Sequence, residues 1–144
     1  GDVAHSRVAN SNAKMLSKMG AKVRFVAPEM LQPQKLPVEN IECFDNLEDG
    51  IKDSDVVMML RIQKERMERS VIPDDATYFN RYGLTIERLD CAKPDAIILH
   101  PGPMNRGVEI ADEGADDPQR SLMKLQVSNG IPTRMAVLDM LIMG

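Results

Sequence analysis

The chain is short of cysteine and of positive charge, and each shortage removes a class of protein. Its two cysteines, Cys43 and Cys91, match no metal-binding or thiol-redox spacing and cannot make a disulfide framework, so a reducing, cytoplasmic setting is the default expectation. A net charge of −4 argues against a nucleic-acid partner. No apolar run approaches the roughly 20 residues that a membrane-spanning helix needs. Gly1-Asp-Val-Ala offers no initiator Met, charged n-region or apolar h-region, so no signal peptide is expected and the chain reads as a candidate fragment. No G-x-G-x-x-G follows an apolar run, which argues against a dinucleotide-binding domain. No nucleophile motif, metal cluster, internal repeat or low-complexity tract stands out, so no cofactor is expected.

What is present suits one ordinary domain. With 144 residues, 43% of them apolar and 28% charged, the chain is long enough to bury a real core. Residues 6–19 predict a helix entered near His5 or Ser6 and ended by Gly20, with Val8, Met15, Leu16 and Met19 on one face. Its amino end, with Arg7, would offer free N–H groups and positive charge to an anion, or else would simply be capped by Ser6. Short strands follow at 22–28 and 41–44, separated by a surface connection with one helical turn, and then a helix over 46–53. The continuous apolar run of Asp55-Val-Val-Met-Met-Leu60 predicts a fully buried strand. Residues 67–83 read as a mobile loop or broken helix, 85–92 as a helix capped by Thr85, and 111–118 as acidic and exposed. One or two helices fill 119–143. This alternation predicts an α/β domain with a doubly wound, mainly parallel sheet and helices on both faces, Rossmann-like.

Two places stand at carboxyl ends of strands, where open α/β sheets bind ligands. Arg61-Ile-Gln-Lys-Glu-Arg66 follows the second buried run, and Arg61 with Gln63 would suit a carboxylate or phosphate. His100-Pro-Gly-Pro103 stops the run Ala96–Leu99, and its two prolines hold the backbone rigid while Gly102 admits close approach. Met135–Met143 carries only Asp139 as a charge, so a helix there is apolar nearly all round and is expected to be buried, with something else packing on it.

Taken together, these motifs carry a resemblance. Gly1-Asp2 to Val8, Met59-Leu-Arg-Ile-Gln63 with Glu65-Arg66, Tyr82-Gly-Leu-Thr85, His100 to Pro103 with Asn105-Arg-Gly-Val-Glu-Ile110, and Asn129-Gly130 to Arg134–Val137 occur in the order of aspartate carbamoyltransferase catalytic chains. The resemblance spans essentially all 144 residues, is confined to that family's carboxyl-terminal, aspartate-binding domain, and implies that the first strand of the sheet lies outside the sequence. It implies transfer of a carbamoyl group from carbamoyl phosphate to L-aspartate, in de novo pyrimidine biosynthesis, by a cytoplasmic homotrimer. Regulatory subunits or other pyrimidine-pathway enzymes are conceivable partners, and no nucleic acid, membrane or metal is implied.

By the same resemblance Arg7 would hold the α-carboxylate of aspartate and Arg61 its side-chain carboxylate, with Gln63 assisting. The backbone of Pro101, Gly102 and Pro103 would orient the amine and the carbamoyl group, Glu65 and Arg66 would serve domain closure, and His100 would be structural. The amino-terminal carbamoyl-phosphate domain, with its Ser-Thr-Arg-Thr motif, is absent, so the chain alone is expected to be inactive. Residues 130–143 are expected to dock on that domain. Within the fold the alternative is an ornithine carbamoyltransferase, whose His-Cys-Leu-Pro signature differs from His100-Pro-Gly-Pro103. From another class, the alternative is a non-catalytic homologous partner subunit.

Overall fold

The computed structural model describes residues 1–62 and 74–143. Among the described residues four strands form two parallel pairs, β1 (Val23–Val26) with β2 (Ile41–Phe44) and β3 (Val56–Met58) with β4 (Ile97–Leu99). Gly1 runs between the carboxyl ends of the pairs. Its nitrogen donates to the Val26 carbonyl at 3.2 Å, and a Cβ there would lie 2.4 Å from the Leu60 oxygen, so only glycine fits.

Side chains alternate across this layer, and two buried clusters result. Val57 and Met59 enter one, with Leu47 and Ile51 of α2 (Leu47–Ile51), Leu89 of α4 (Ile86–Leu89), Ala115 of α5 (Asp112–Ala115) and Met123 of α6 (Met123–Met143). Phe25, Leu60 and Ile62 enter the other, with Ala9 and Ala13 of α1 (Arg7–Lys18) and Tyr78 and Tyr82 of α3 (Asp75–Tyr82). Helices therefore cover both faces, the expected α/β architecture, although the sheet is two short pairs rather than one continuous run.

Helices α1 to α4 begin where short polar side chains replace the missing backbone acceptors. Ser6 Oγ accepts from the Ala9 N–H, Asn46 Oδ1 from Asp49, Asp74 Oδ1 from Thr77 and Thr85 Oγ1 from Arg88. Gly20, at φ 84°, turns the chain after α1, a conformation costly for other residues.

Four expectations need correction. The buried face of α1 is Ala9 and Ala13, while Met15, Leu16 and Met19 are 60%, 40% and 74% exposed; two alanines four apart let the helix lie close against β1. The run at 55–60 is not buried throughout, because Asp55 and Val56 at the start of β3 are exposed, Val56 to 46%. Residues 75–82 are a regular helix rather than broken chain, anchored by Tyr78 and Tyr82 on one face; the tyrosines stack with ring centroids 5.2 Å apart. In the acidic stretch, Gly114 and Ala115 are buried under Leu84 and Ile110. The rest of the 67–83 reading, up to residue 73, lies outside the described residues.

Arg88 ties this layer together. Its guanidinium donates to the Phe79 and Gly83 carbonyls at 3.0 and 2.7 Å, ending α3, and to Glu48 of α2 at 3.1 Å. Methionine at this position would keep the stem and lose every donor. Arg88→Met is expected to lower unfolding stability by about 2 kcal/mol, the range for charge-assisted hydrogen bonds partly open to water. Urea unfolding measures this, and an unchanged midpoint would mean water replaces the guanidinium without loss.

Candidate functional site

At the carboxyl ends of β3 and β4 the chain opens a cleft of about 250 Å³, lined by His5, Ser6, Arg7, Val8, Leu60, Arg61 and Pro101 to Pro103. Three separate segments meet there: the amino end of α1, the residues after β3 and the turn after β4. Arg7, Arg61, Pro101, Gly102 and Pro103, which the resemblance assigned to one substrate, all line this one cleft. Gln63, Glu65 and Arg66 lie outside the described residues. A larger open groove of about 490 Å³ runs between the end of β4 and α6, lined by Leu99, Leu122, Leu125, Gln126, Asn129, Gly130, Thr133 and Arg134. It holds one charged side chain and none of the residues proposed from sequence to bind substrate, so the smaller cleft is the better candidate for chemistry.

Each wall of the cleft has a local cause. Ser6 is a cap, its Oγ bound to the Ala9 N–H at 3.1 Å, and Arg7 is the first residue of α1. The capping reading and the anion-binding reading are thus compatible: Ser6 starts the helix, and the positive end of its dipole with the exposed Arg7 side chain faces the cleft. Arg61 is half-buried, three residues past β3. Val8 and Leu60 supply apolar surface between the cations, which strengthens charge pairing by excluding water.

The turn after β4 is held from below. Gly102 has φ 65°, in the left-handed region. Its N–H donates to His100 Nδ1 at 2.8 Å, and His100 Nε2 lies 3.3 Å from Glu109 Oε1, both side chains fully buried. Glu109 Oε1 also accepts the Asn105 N–H. Gln126 of α6 brackets the His100 backbone, donating to its carbonyl at 3.0 Å and accepting its N–H at 3.3 Å. His100 is buried, bonded to Gly102 and Glu109, and does not line the cleft.

Sequence reading missed His5 and Glu109. His5 lines the cleft, its backbone N–H and Nδ1 both on Asp2 Oδ1, at 3.1 and 2.9 Å; the carboxylate three residues before it was the available signal. Asp2 and Glu109 are both wholly buried beneath the cleft. The Tyr78 phenol lies in their field and is held well above its usual pKa, first by burial and then by the charge of Glu109, so it stays neutral. Among the described residues no group of His, Cys, Asp and Glu could hold a metal ion.

An α/β domain with two arginines on one cleft beside the carboxyl ends of its strands is the class this geometry defines. The family model for the Asp/Orn-binding domain of aspartate/ornithine carbamoyltransferases matches residues 1–141, and the chain belongs to that family. The aspartate carbamoyltransferase catalytic subunit of Brucella anthropi is 54% identical over 142 residues, covering 99% of this chain and 44% of that protein. Among solved structures, aspartate transcarbamoylase from Trypanosoma cruzi with N-(phosphonacetyl)-L-aspartic acid superposes with a TM-score of 0.81 at 28% identity, over 96% of this chain and 46% of that one. Ornithine carbamoyltransferase from Pyrococcus furiosus gives 0.79 at 26% identity, over 92% and 45%. The chain thus spans less than half the length of these relatives.

Proposed function

We propose that this chain is the aspartate-binding half of an aspartate carbamoyltransferase, which converts carbamoyl phosphate and L-aspartate into N-carbamoyl-L-aspartate and phosphate. The observation that carries the reading is the meeting of Arg7, Arg61 and the Pro101–Pro103 turn on one cleft. A dicarboxylate needs two cationic contacts set apart, and planar guanidinium groups take carboxylates bidentately. Arg61 takes the side-chain carboxylate and Arg7, aided by the helix amino end, the α-carboxylate. Backbone carbonyls of Pro101, Gly102 and Pro103 accept from the amine and the carbamoyl NH₂. The amine nitrogen then attacks the carbamoyl carbon, the carbon–oxygen bond to phosphate breaks with its electron pair on phosphate, and the amine gives up a proton. Such a transfer relies on proximity and charge stabilisation rather than on a protein nucleophile.

Gln63 assists Arg61, and Glu65 and Arg66 serve domain closure, in the same reading. The complete enzyme joins this half to an amino-terminal carbamoyl-phosphate domain, works as a cytoplasmic trimer in pyrimidine synthesis, and packs residues 130–143 on that second domain. Support for the aspartate assignment over the ornithine one comes from the 54% identity to a catalytic subunit of the former kind and from the second arginine, which suits a carboxylate where ornithine has an amine.

Inhibition kinetics on the complete enzyme test the choice. Succinate has both carboxylates and no amine, so it is expected to compete with aspartate, whereas ornithine is not. Competition by ornithine at similar concentration would favour the sister transferase, and no carbamoyl transfer to either amino acid would favour the non-catalytic subunit.

A further inference from the structure

We infer that Glu109 and His100 form a buried positioning pair that clamps both ends of the Pro101–Pro103 turn and so aims its carbonyls into the cleft. This rests on the reading that those carbonyls orient the aspartate amine and the carbamoyl group.

The hydrogen bonds determine the protonation of the pair. Gly102 N–H is a donor at 2.8 Å from His100 Nδ1, so Nδ1 carries no proton. The ring proton is therefore on Nε2, where it donates to Glu109 Oε1 at 3.3 Å. A doubly protonated ring would set its Nδ1–H against the Gly102 N–H, donor against donor. His100 is thus a neutral acceptor for the front of the turn, and the carboxylate selects that tautomer. The same Oε1 takes the Asn105 N–H behind the turn. One oxygen atom of Glu109 therefore holds the front of the turn through His100 and the back directly.

Gln126 holds the His100 backbone in place, and the three proline-turn residues between the clamps remain exposed to the cleft. The two prolines restrict φ but cannot anchor the segment to the body of the domain, because neither has an N–H. The clamp supplies that anchorage.

Neither Glu109 nor His100 lines the cleft, so both act through the turn, and their replacement has a distinctive kinetic signature. Succinate has no amine for the turn to orient and senses only the arginines. In the complete enzyme, Glu109→Ala and His100→Leu are expected to lower kcat by about 10- to 100-fold while the succinate inhibition constant moves less than about threefold. Two conservative variants keep the acceptors that take the Gly102 and Asn105 N–H groups. In Glu109→Gln the amide oxygen can take both donors, and in His100→Asn the Oδ1 stands near the position of Nδ1 and can accept from Gly102. Both are expected to restore kcat to within about fivefold of wild type.

Hydrogen exchange over residues 100–110 gives a reading independent of activity: protection of the turn should be lost in the Ala and Leu variants and kept in the Gln and Asn ones. Equal kcat for His100→Asn and His100→Leu, or unchanged exchange in Glu109→Ala, would overturn the clamp. So would succinate binding that falls in parallel with kcat in all four variants. Failure of the wild-type enzyme to carbamoylate aspartate would sink the aspartate reading instead, and the exchange experiment would still decide the clamp.

Discussion

Replacement of Arg61 by alanine in the complete enzyme is expected to remove about 2–5 kcal/mol of transition-state stabilisation toward aspartate, roughly a thirty- to several-thousand-fold loss in kcat/KM. The size of the effect follows from position. Arg61 is half-buried where β3 ends, against Leu60 and beside the turn after β4. A carboxylate seated there has exchanged water for the guanidinium, and truncation leaves it desolvated and unpaired.

Arg7 differs in kind. It is exposed, and it stands on the first turn of α1, whose N–H groups and dipole remain after Arg7→Ala. The loss there is expected near the lower end of the same range, about 2 kcal/mol. Arg61→Lys should fall between wild type and alanine, since it keeps the charge and loses the two-pronged geometry. Steady-state aspartate kinetics on the three variants decide these points. Unchanged KM and kcat in Arg61→Ala would take Arg61 out of the site, and the same result in Arg7→Ala as well would end the dicarboxylate model.

How much of this could be read beforehand depended on how local the signal was. Caps were legible because the capping residue and the N–H it accepts from lie within four residues, as at Ser6 and Thr85. The turn after β4 was legible because an apolar run meets Pro-Gly-Pro, and Arg61 because it follows another such run. The buried face of α1 was misread for a physical reason. Methionine and leucine carry more apolar area than alanine, so periodicity weighted Met15, Leu16 and Met19, yet close approach to β1 selected the small residues Ala9 and Ala13. Helix α3 hid in a polar segment because only Tyr78 and Tyr82 turn inward. Least visible was the polar layer beneath the cleft. Asp2 and Glu109 stand far apart in the sequence and become neighbours of Tyr78 only after both sheet pairs are assembled. No spacing rule reports such a meeting.

Helix α6 leads to the other large expected effect. Its first turn is well held, with Met123 buried and Gln126 bound to the His100 backbone. Beyond that the helix is bare: Ile131, Met135, Leu138, Met140, Leu141 and Ile142 are between 57% and 78% exposed. Helical segments without packing are marginal in water, and an apolar patch beyond a few hundred Å² marks an interface or a site of self-association. The chain alone is therefore expected to self-associate through residues 131–143. It is also expected to make no carbamoyl aspartate, because the proposed reaction needs a carbamoyl-phosphate site on a second domain. One addition should reverse both. Supplying the amino-terminal domain in trans is expected to lower light scattering and to start carbamoyl transfer at a rate that depends on both concentrations. A double change, Leu138→Asp with Leu141→Asp, leaves the Gln126 contact intact and should separate the two effects, since it removes self-association and also removes the docking face, leaving transfer weak at any concentration of partner. A colorimetric carbamoyl-aspartate assay beside light scattering reads both quantities. A monodisperse, monomeric chain that is fully active without its partner would overturn the assignment of α6 as a docking helix and the division of the site between two domains.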